Sequence, residues 1–432
     1  MNYIQAEYSG PLNGEITVPG AKNSSLALLA AACLADDVVR LEGIPRIDDV
    51  RIIEGIGRDI GMELRRDGGQ VVIDPRSIHS ASIDPGKASS YRASYYFAGA
   101  LLAKFGKVEI GFPGGDDFVS RPIDQHIKAF RALGARVQFH QDYYTVEAAE
   151  LTGADIYFDT VTCGATINAM LAAVRARGRT QLLNAAVDPE VVDTAAFLNR
   201  LGARIYGAGT SRIRIEGVPY LNGGTHTVIP DRLIAGSFLM AAGLHGGQVT
   251  VKDVIPEHLG ACLAKLEEMG MQVECGESRI TAYGTGSLRA ARIRTGMYPG
   301  FATDLQQPIT ALLLLAKGRS IVTERVYPMR FAHVPQLLRL GARIEMRKES
   351  ALIRGGQPLQ GGWVHATDVR AGICLLLAGL AAEGHTYITG VEHIERGYED
   401  VIGSFRSIGA KLAIRKLDAQ QPAGDRLRLH GG

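Results

Sequence analysis

The stretch IDQHIKAFRALGARVQFH, Ile123–His140, joins two periodicities in one short run. Ile123, Ile127 and Phe130 recur at helical spacing, and the run closes on Leu133. Gly134 follows, and then Arg136-Val137-Gln138-Phe139 alternates polar and apolar residues as a half-buried strand does. A glycine at such a joint reads as a helix stop, because it readily takes the left-handed backbone that ends a helix. The joint occurs five more times: IGMEL from Ile60, LGARI from Leu201, MGMQV from Met269, LGARI from Leu340 and IGAKL from Ile408. The glycines Gly61, Gly134, Gly202, Gly270, Gly341 and Gly409 are 73, 68, 68, 71 and 68 residues apart. Leu-Gly-Ala is a common helix ending, but six endings at so even a period mark an internal repeat.

A second element recurs about 30 residues before each glycine, as in ALLAAACLADDVVRLEGI from Ala27 and LLLAGLAAEGHTYITGV from Leu375. Each copy reads as an apolar helix, a turn and a strand. One unit is then strand, helix, strand, helix, strand, strand in about 70 residues, and six units make the chain. The leading helix of each unit is apolar nearly all round, so it belongs in an interior. The expected fold class is α/β (α+β): a two-domain inside-out barrel, three repeats per domain, helices inside and sheets outside. The domains are expected over residues 1–20 with 230–432, and over 21–229.

Composition narrows the function. The chain has 432 residues, enough for two cores, and its 46% hydrophobic and 6% aromatic content makes those cores aliphatic. Lys and Arg number 47 against 45 Asp and Glu, so nothing demands a nucleic acid or an anionic membrane as partner. The five cysteines form no C-x-x-C pair and no metal-ligand spacing, which points to reduced thiols in a cytoplasm and no metal. The start, MNYIQAEYSG, has no basic and apolar signal pattern, and the longest apolar runs are about half a membrane span.

Unusual polar residues cluster at one structural position, the head of each apolar helix. They are Lys22 and Asn23 in PGAKN, Arg92 in SYRAS, Thr162 and Thr166 in TCGAT, Asp231 and Arg232 in PDRLIAG, Asp304 in ATDLQQP, and Asp368 and Arg370 in ATDVRAG. Helix N-termini present free N–H groups and favour anions. Each Asp is open to two readings, an N-cap or a ligand contact. Lys22 and Arg370 oppose the helix dipole, so each needs either an anionic ligand or a salt bridge.

These motifs, with GPLNGEITVPGAKNSSLALLAAACLA from Gly10, PGGDDFVSRPIDQHI from Pro113, DPEVVDTAAFLNRLGA from Asp188, RFAHVPQLLRLGA from Arg330 and HIERGYEDV from His393, resemble the enolpyruvyl transferases. The branch that acts on UDP-N-acetylglucosamine is the nearer match, and the branch of the shikimate pathway the more distant. The resemblance covers nearly the whole chain, with motifs in family order. It implies two domains closing over a cleft, with a mobile loop beginning at Pro113. The implied reaction is metal- and cofactor-free transfer of enolpyruvyl from phosphoenolpyruvate to a hydroxyl of a UDP-sugar, by addition and elimination.

The resemblance also implies roles. Lys22, Arg121 and Arg396 would hold phosphoenolpyruvate, with Arg330 and Arg370 completing the cluster, since a guanidinium fork suits carboxylate and phosphate. Asp304 would take the proton of the acceptor hydroxyl. Asn23 and Arg92 would be further contacts, Arg121-Pro122-Ile123-Asp124 would pack on the uracil, and Thr162, Gly164, Asp231 and Asp368 would line the substrate. Most relatives carry a cysteine, tied to proton transfer and alkylated by fosfomycin, where this chain has Asp116. A carboxyl group can carry a proton too if a closed site and the neighbouring Asp117 raise its pKa, while nearby arginines pull the other way. Two further departures, Thr160 for a lysine and Tyr96 for a tryptophan, lie on the acceptor side. They bring in two rivals: a relative that acts on another nucleotide or nucleotide-sugar, and a silent paralogue that binds one and regulates.

Overall fold

The six repeat glycines all sit at positive φ, between 85° and 103°. At each, the glycine N–H donates to the carbonyl three residues back and the next N–H to the carbonyl five back, as in Gly134 to Arg131 and Ala135 to Phe130. This paired closure satisfies the last carbonyls of a helix and needs a left-handed residue at its pivot. A methyl group at Gly409 would meet open space, whereas at Gly61 it would lie 2.2 Å from His79 Nδ1 and 2.7 Å from the Ser77 carbonyl. Gly409→Ala is therefore expected to cost about 1–2 kcal/mol from backbone alone. Gly61→Ala should cost clearly more, an order that urea unfolding midpoints will check.

The computed structural model describes residues 2–90, 92–114 and 122–416. The chain divides into two compact units, Gly20–Ile229 and Met1–Pro19 with Pro230–Gly432. In the Gly20–Ile229 unit the helices Lys22–Ala31, Tyr96–Phe105 and Cys163–Ala173 are buried along most of their length. The first touches the second and the second touches the third. In the other unit Arg232–Ala241, Thr303–Leu315 and Val369–Ala381 do the same, with Thr303–Leu315 touching both of its fellows. Side chains that are apolar on every face leave these helices no surface to give to water.

Each unit carries three four-stranded sheets. Asp155–Tyr157 runs parallel to Arg179–Leu183 across the Cys163–Ala173 helix, and Arg212–Glu216 and Arg204–Tyr206 then add antiparallel. Burial alternates along such strands, as in Arg212–Glu216, so one face rests on the helices and the other meets solvent.

The repeats depart from an unbroken series of six at three strands. Asn13–Thr17, which precedes the Lys22–Ala31 helix in sequence, pairs in parallel with Gln248–Lys252, both within the Met1–Pro19 and Pro230–Gly432 unit. Gly224–Thr227, which precedes Arg232–Ala241, pairs in parallel with Val39–Glu42. Asn2–Glu7 lies between His385–Thr389 and Lys411–Lys416, so the last sheet takes a strand from the other end of the chain. Ladder hydrogen bonds are made by backbone, and repeats of one design present equivalent edges, so a strand from one repeat can complete another. The chain passes from unit to unit beside paired carbonyls and amides: Ala21 N–H donates to Ile229 O at 2.7 Å, and Asp231 N–H to Pro19 O at 2.9 Å.

Cations tie off the end of the first buried helix. Lys104 Nζ donates to Cys33 O and Ala35 O at 2.8 and 3.0 Å, and Arg175 Nη2 to Leu34 O at 2.6 Å. Both place positive charge where the helix dipole is negative. No disulfide joins the cysteines among the described residues, and burial pushes the Cys33 and Cys262 thiols up to about 12. Among the described residues no helix is long and apolar enough to cross a membrane.

Candidate functional site

The Gly20–Ile229 unit places its candidate residues around two anchors. Lys22 opens its helix and donates to Asp49 Oδ2 at 2.9 Å; Asp49 is buried in the first turn of Asp48–Asp59. Lys22 thus has an internal carboxylate partner, while Asn23 beside it is exposed. Two residues on, Ser24 Oγ donates to Asp193 Oδ2, and Asp193 Oδ1 meets His226 Nε2 at 2.8 Å, so the head of the Lys22 helix is fixed to two further elements.

The second anchor is Tyr95. The Arg92 guanidinium lies 5.6 Å from its ring centre and the His126 ring 4.6 Å away. A methyl group on Gly164 would come within 2.5 Å of its hydroxyl, so this contact explains the glycine by packing. Thr162 is the N-cap of Cys163–Ala173 without a side-chain capping bond, and Thr166 Oγ1 accepts from Ala186 N–H at 3.0 Å. Pro122 is exposed, Ile123 half-buried, and Asp124 is the exposed first residue of Asp124–Ala132. Asp116, Asp117 and Arg121 lie outside the described residues.

Asn168 fixes the protonation of this cluster. Its Oδ1 accepts from Gly99 N–H at 2.8 Å, so its Nδ2 is the donor to Tyr95 O at 2.9 Å and to His126 Nδ1 at 3.0 Å. His126 Nδ1 is then an acceptor and the ring is neutral. Burial first, and then the charge of Arg92, push His126 down to about 3. In the other unit burial pushes His333 down to about 4, against the opposing pull of Asp368. Both histidines stay unprotonated in the fold at pH values where the unfolded chain binds protons. Their contribution is complete above about pH 6.5 and is lost as pH falls toward 4 and 3. Stability should therefore drop between pH 6.5 and 5 by up to about 1.4 kcal/mol per pH unit for each group. Urea midpoints at pH 7.5 and 5 will measure it, and His126→Asn should flatten the slope.

The other unit gathers Asp304, Arg330 and Arg370. Asp304 is the second residue of Thr303–Leu315, with Ala302 as N-cap. Arg330 Nη1 donates to Asp304 Oδ1 at 2.6 Å, and Arg370 Nη2 approaches Oδ2 at 3.1 Å. The arginine side chains are 5% and 4% exposed and that of Asp304 26%, so the carboxylate is the accessible tip of a buried cationic pair. Burial pulls both guanidiniums toward the neutral form, but Asp304, joined by Asp368 at Arg330 and by Tyr398 and Asp231 at Arg370, more than offsets it and both are held as firm cations. Arg370 Nη1 is buried without a hydrogen-bond partner among the described residues.

Asp368 Oδ1 accepts from Arg370 N–H at 2.8 Å and Ala371 N–H at 3.1 Å, and Asp231 Oδ1 accepts from Leu233 and Ile234 N–H at 2.9 and 3.0 Å. Both are helix N-caps. Arg396, half-buried, is the C-cap of Val391–Glu395. Tyr96 is buried against Tyr95 at 4.6 Å between ring centres, and Thr160 is exposed.

Sequence reasoning passed over Asp49, Asp193, Asn168 and Glu324. Each is a buried polar group with a partner 21 to 169 residues away. Asp49 looks like an ordinary acidic residue in a first helical turn, so its local pattern gave no sign of Lys22.

Residues 6–405 match the family EPSP synthase (3-phosphoshikimate 1-carboxyvinyltransferase). UDP-N-acetylglucosamine 1-carboxyvinyltransferase 2 of Geobacillus kaustophilus is 49% identical over 410 residues, 95% of this chain and 96% of that protein. The Bacillus anthracis protein of the same name is 46% identical over 422 residues, 98% of each. The enolpyruvyl transferase NikO from Streptomyces tendae superposes with a TM-score of 0.86 at 25% identity, covering 96% of this chain and 98% of that one. EPSP synthase of Acinetobacter baumannii shares the fold, with a TM-score of 0.72 at 19% identity over 96% of this chain and 100% of that one. Two α/β units with three repeats each are the architecture of these proteins. The chain therefore belongs to the EPSP synthase family of enolpyruvyl (1-carboxyvinyl) transferases, as a close homologue of its UDP-N-acetylglucosamine members.

Proposed function

We propose that this protein transfers the enolpyruvyl group of phosphoenolpyruvate to a hydroxyl of UDP-N-acetylglucosamine, releasing phosphate, in the cytoplasm and as the first committed step of peptidoglycan precursor synthesis. The observation that carries the reading is 49% identity, over 95% of the chain, to a protein named for that transfer. The acceptor oxygen bonds to the enol carbon while the methylene carbon gains a proton. The tetrahedral adduct then loses a methyl proton and phosphate, and the vinyl group is restored. Asp304 takes the hydroxyl proton. Its side chain is 26% exposed, while Arg330 and Arg370 hold its two carboxylate oxygens. Lys22, Arg121, Arg370 and Arg396 neutralise the phosphate and carboxylate of phosphoenolpyruvate. Asp116 supplies the proton at the methylene carbon. Asn23, Arg92, Pro122, Ile123, Asp124, Thr162, Gly164, Asp231 and Asp368 surround the nucleotide-sugar, the last two as capped helix heads.

A second reading, another nucleotide or nucleotide-sugar as acceptor, has the exposed Thr160 in its favour. Tyr96 no longer speaks for it, since that residue is buried in packing. The test is phosphate release from phosphoenolpyruvate with UDP-N-acetylglucosamine, UMP and shikimate 3-phosphate offered separately. Release with UDP-N-acetylglucosamine alone is expected. Release with UMP alone would move the assignment to the second reading, and binding without release would make the chain a regulator.

A further inference from the structure

Glu324 takes no part in the transfer described above, yet it is fully buried, at 0% exposure. Its Oε1 accepts from Thr295 Oγ1 at 2.6 Å and from the N–H groups of Val326 and Tyr327 at 2.8 and 3.0 Å. Its Oε2 accepts from Thr303 Oγ1 at 2.8 Å. Thr303 Oγ1 lies 3.2 Å from Arg330 Nη1, and that nitrogen also donates to Asp304 Oδ1 at 2.6 Å. A hydroxyl has one proton to give. Thr303 gives it to Glu324, which leaves its lone pairs facing Arg330 and lets Arg330 Nη1 point one hydrogen at Thr303 and the other at Asp304.

We infer that Glu324 is a positioning residue for Asp304: by orienting the Thr303 hydroxyl it sets where Arg330 holds the carboxylate that receives the acceptor proton. The inference rests on the role given to Asp304 above. The same carboxylate also ties down the backbone at Val326 and Tyr327, the start of the turn that brings in Arg330. Glu324→Gln separates the two functions. With its carbonyl in the Oε1 position the amide keeps three of the four contacts, and its NH2 then faces Thr303. Thr303 then accepts from it, and its own proton, released from residue 324, turns either toward Arg330, where donor meets donor, or away from both, so the hydroxyl no longer fixes Arg330.

The experiment compares Glu324→Gln, Thr303→Val, Thr303→Ser and the Glu324→Gln/Thr303→Val double variant in kcat, KM, melting temperature and crystal structure. Glu324→Gln should lower kcat about 10- to 100-fold, the loss of a hydrogen bond to a charged group, with KM for phosphoenolpyruvate within about threefold. Thr303→Ser, which keeps the hydroxyl, should retain wild-type kcat. The double variant should be no worse than Thr303→Val alone, since both changes cut one link. In crystals of Glu324→Gln the contact between Arg330 Nη1 and Asp304 Oδ1 should open beyond hydrogen-bond distance. Additive losses in the double variant, or an unchanged 2.6 Å contact in Glu324→Gln, overturn the inference. The distance can be read whatever the acceptor proves to be. An inactive wild type would therefore count against the proposed transfer, and the crystal would still decide the role of Glu324.

Discussion

Asp304→Asn lowers kcat by about a thousandfold while the protein still folds, as expected for loss of a positioned proton acceptor. The amide keeps one oxygen for one guanidinium, sets its NH2 against the other, and cannot take up a proton at neutral pH. Asp304→Ala has a second consequence. Arg330 and Arg370 are 5% and 4% exposed, and Asp304 is the largest influence that keeps them charged against burial. Taking one partner from a buried ion pair costs about 3–5 kcal/mol, so the alanine variant should lose stability as well as turnover. Phosphate release at saturating substrates, measured beside thermal melting, separates the two effects. Near-normal turnover in Asp304→Asn would remove Asp304 as the base.

Fosfomycin is expected to leave the protein unlabelled and active after long incubation with phosphoenolpyruvate or a nucleotide-sugar present. A carboxylate is a far poorer nucleophile toward an epoxide than a thiolate, and the family resemblance sets Asp116 at the position of the reactive thiol. Asp116→Cys should gain what the wild type lacks, a covalent adduct and time-dependent inactivation. Intact-mass spectrometry checks both proteins. An adduct at Asp116 in the wild type sinks the prediction, and an unreactive Asp116→Cys places the difference at other residues.

Much of the architecture was legible because its signals are local. Six glycines at an even period mark six helix ends, and six apolar runs mark six buried helices. The pairing of Asn2–Glu7 with residues near 385 and 411 was not legible, because a strand carries no local record of which distant edge it will join. The same holds for polar partners. Lys22 and Arg370 stood out as cations at helix heads, and the structure gives each a carboxylate, Asp49 and Asp304. The second was among the candidate residues; the first was not, since an acidic residue in a first helical turn is explained by its own helix. Asp231 and Asp368, open to two readings, are N-caps through the Oδ1 of each. Glu324 was invisible for a different reason: nothing around ERV distinguishes it from a solvated charge, and only the fold buries it.

The crossing of the chain between units has a bearing on its synthesis. Residues 20–229 supply every strand of their own three sheets, so that half can assemble as soon as it leaves the ribosome. Asn13–Thr17 must wait for Gln248–Lys252, and Asn2–Glu7 for strands that end at Lys416. Segments translated ahead of residues 20–229 are among the last to find partners, and a nascent chain halted before residue 385 carries an unmatched strand exposed to chaperones or to its neighbours.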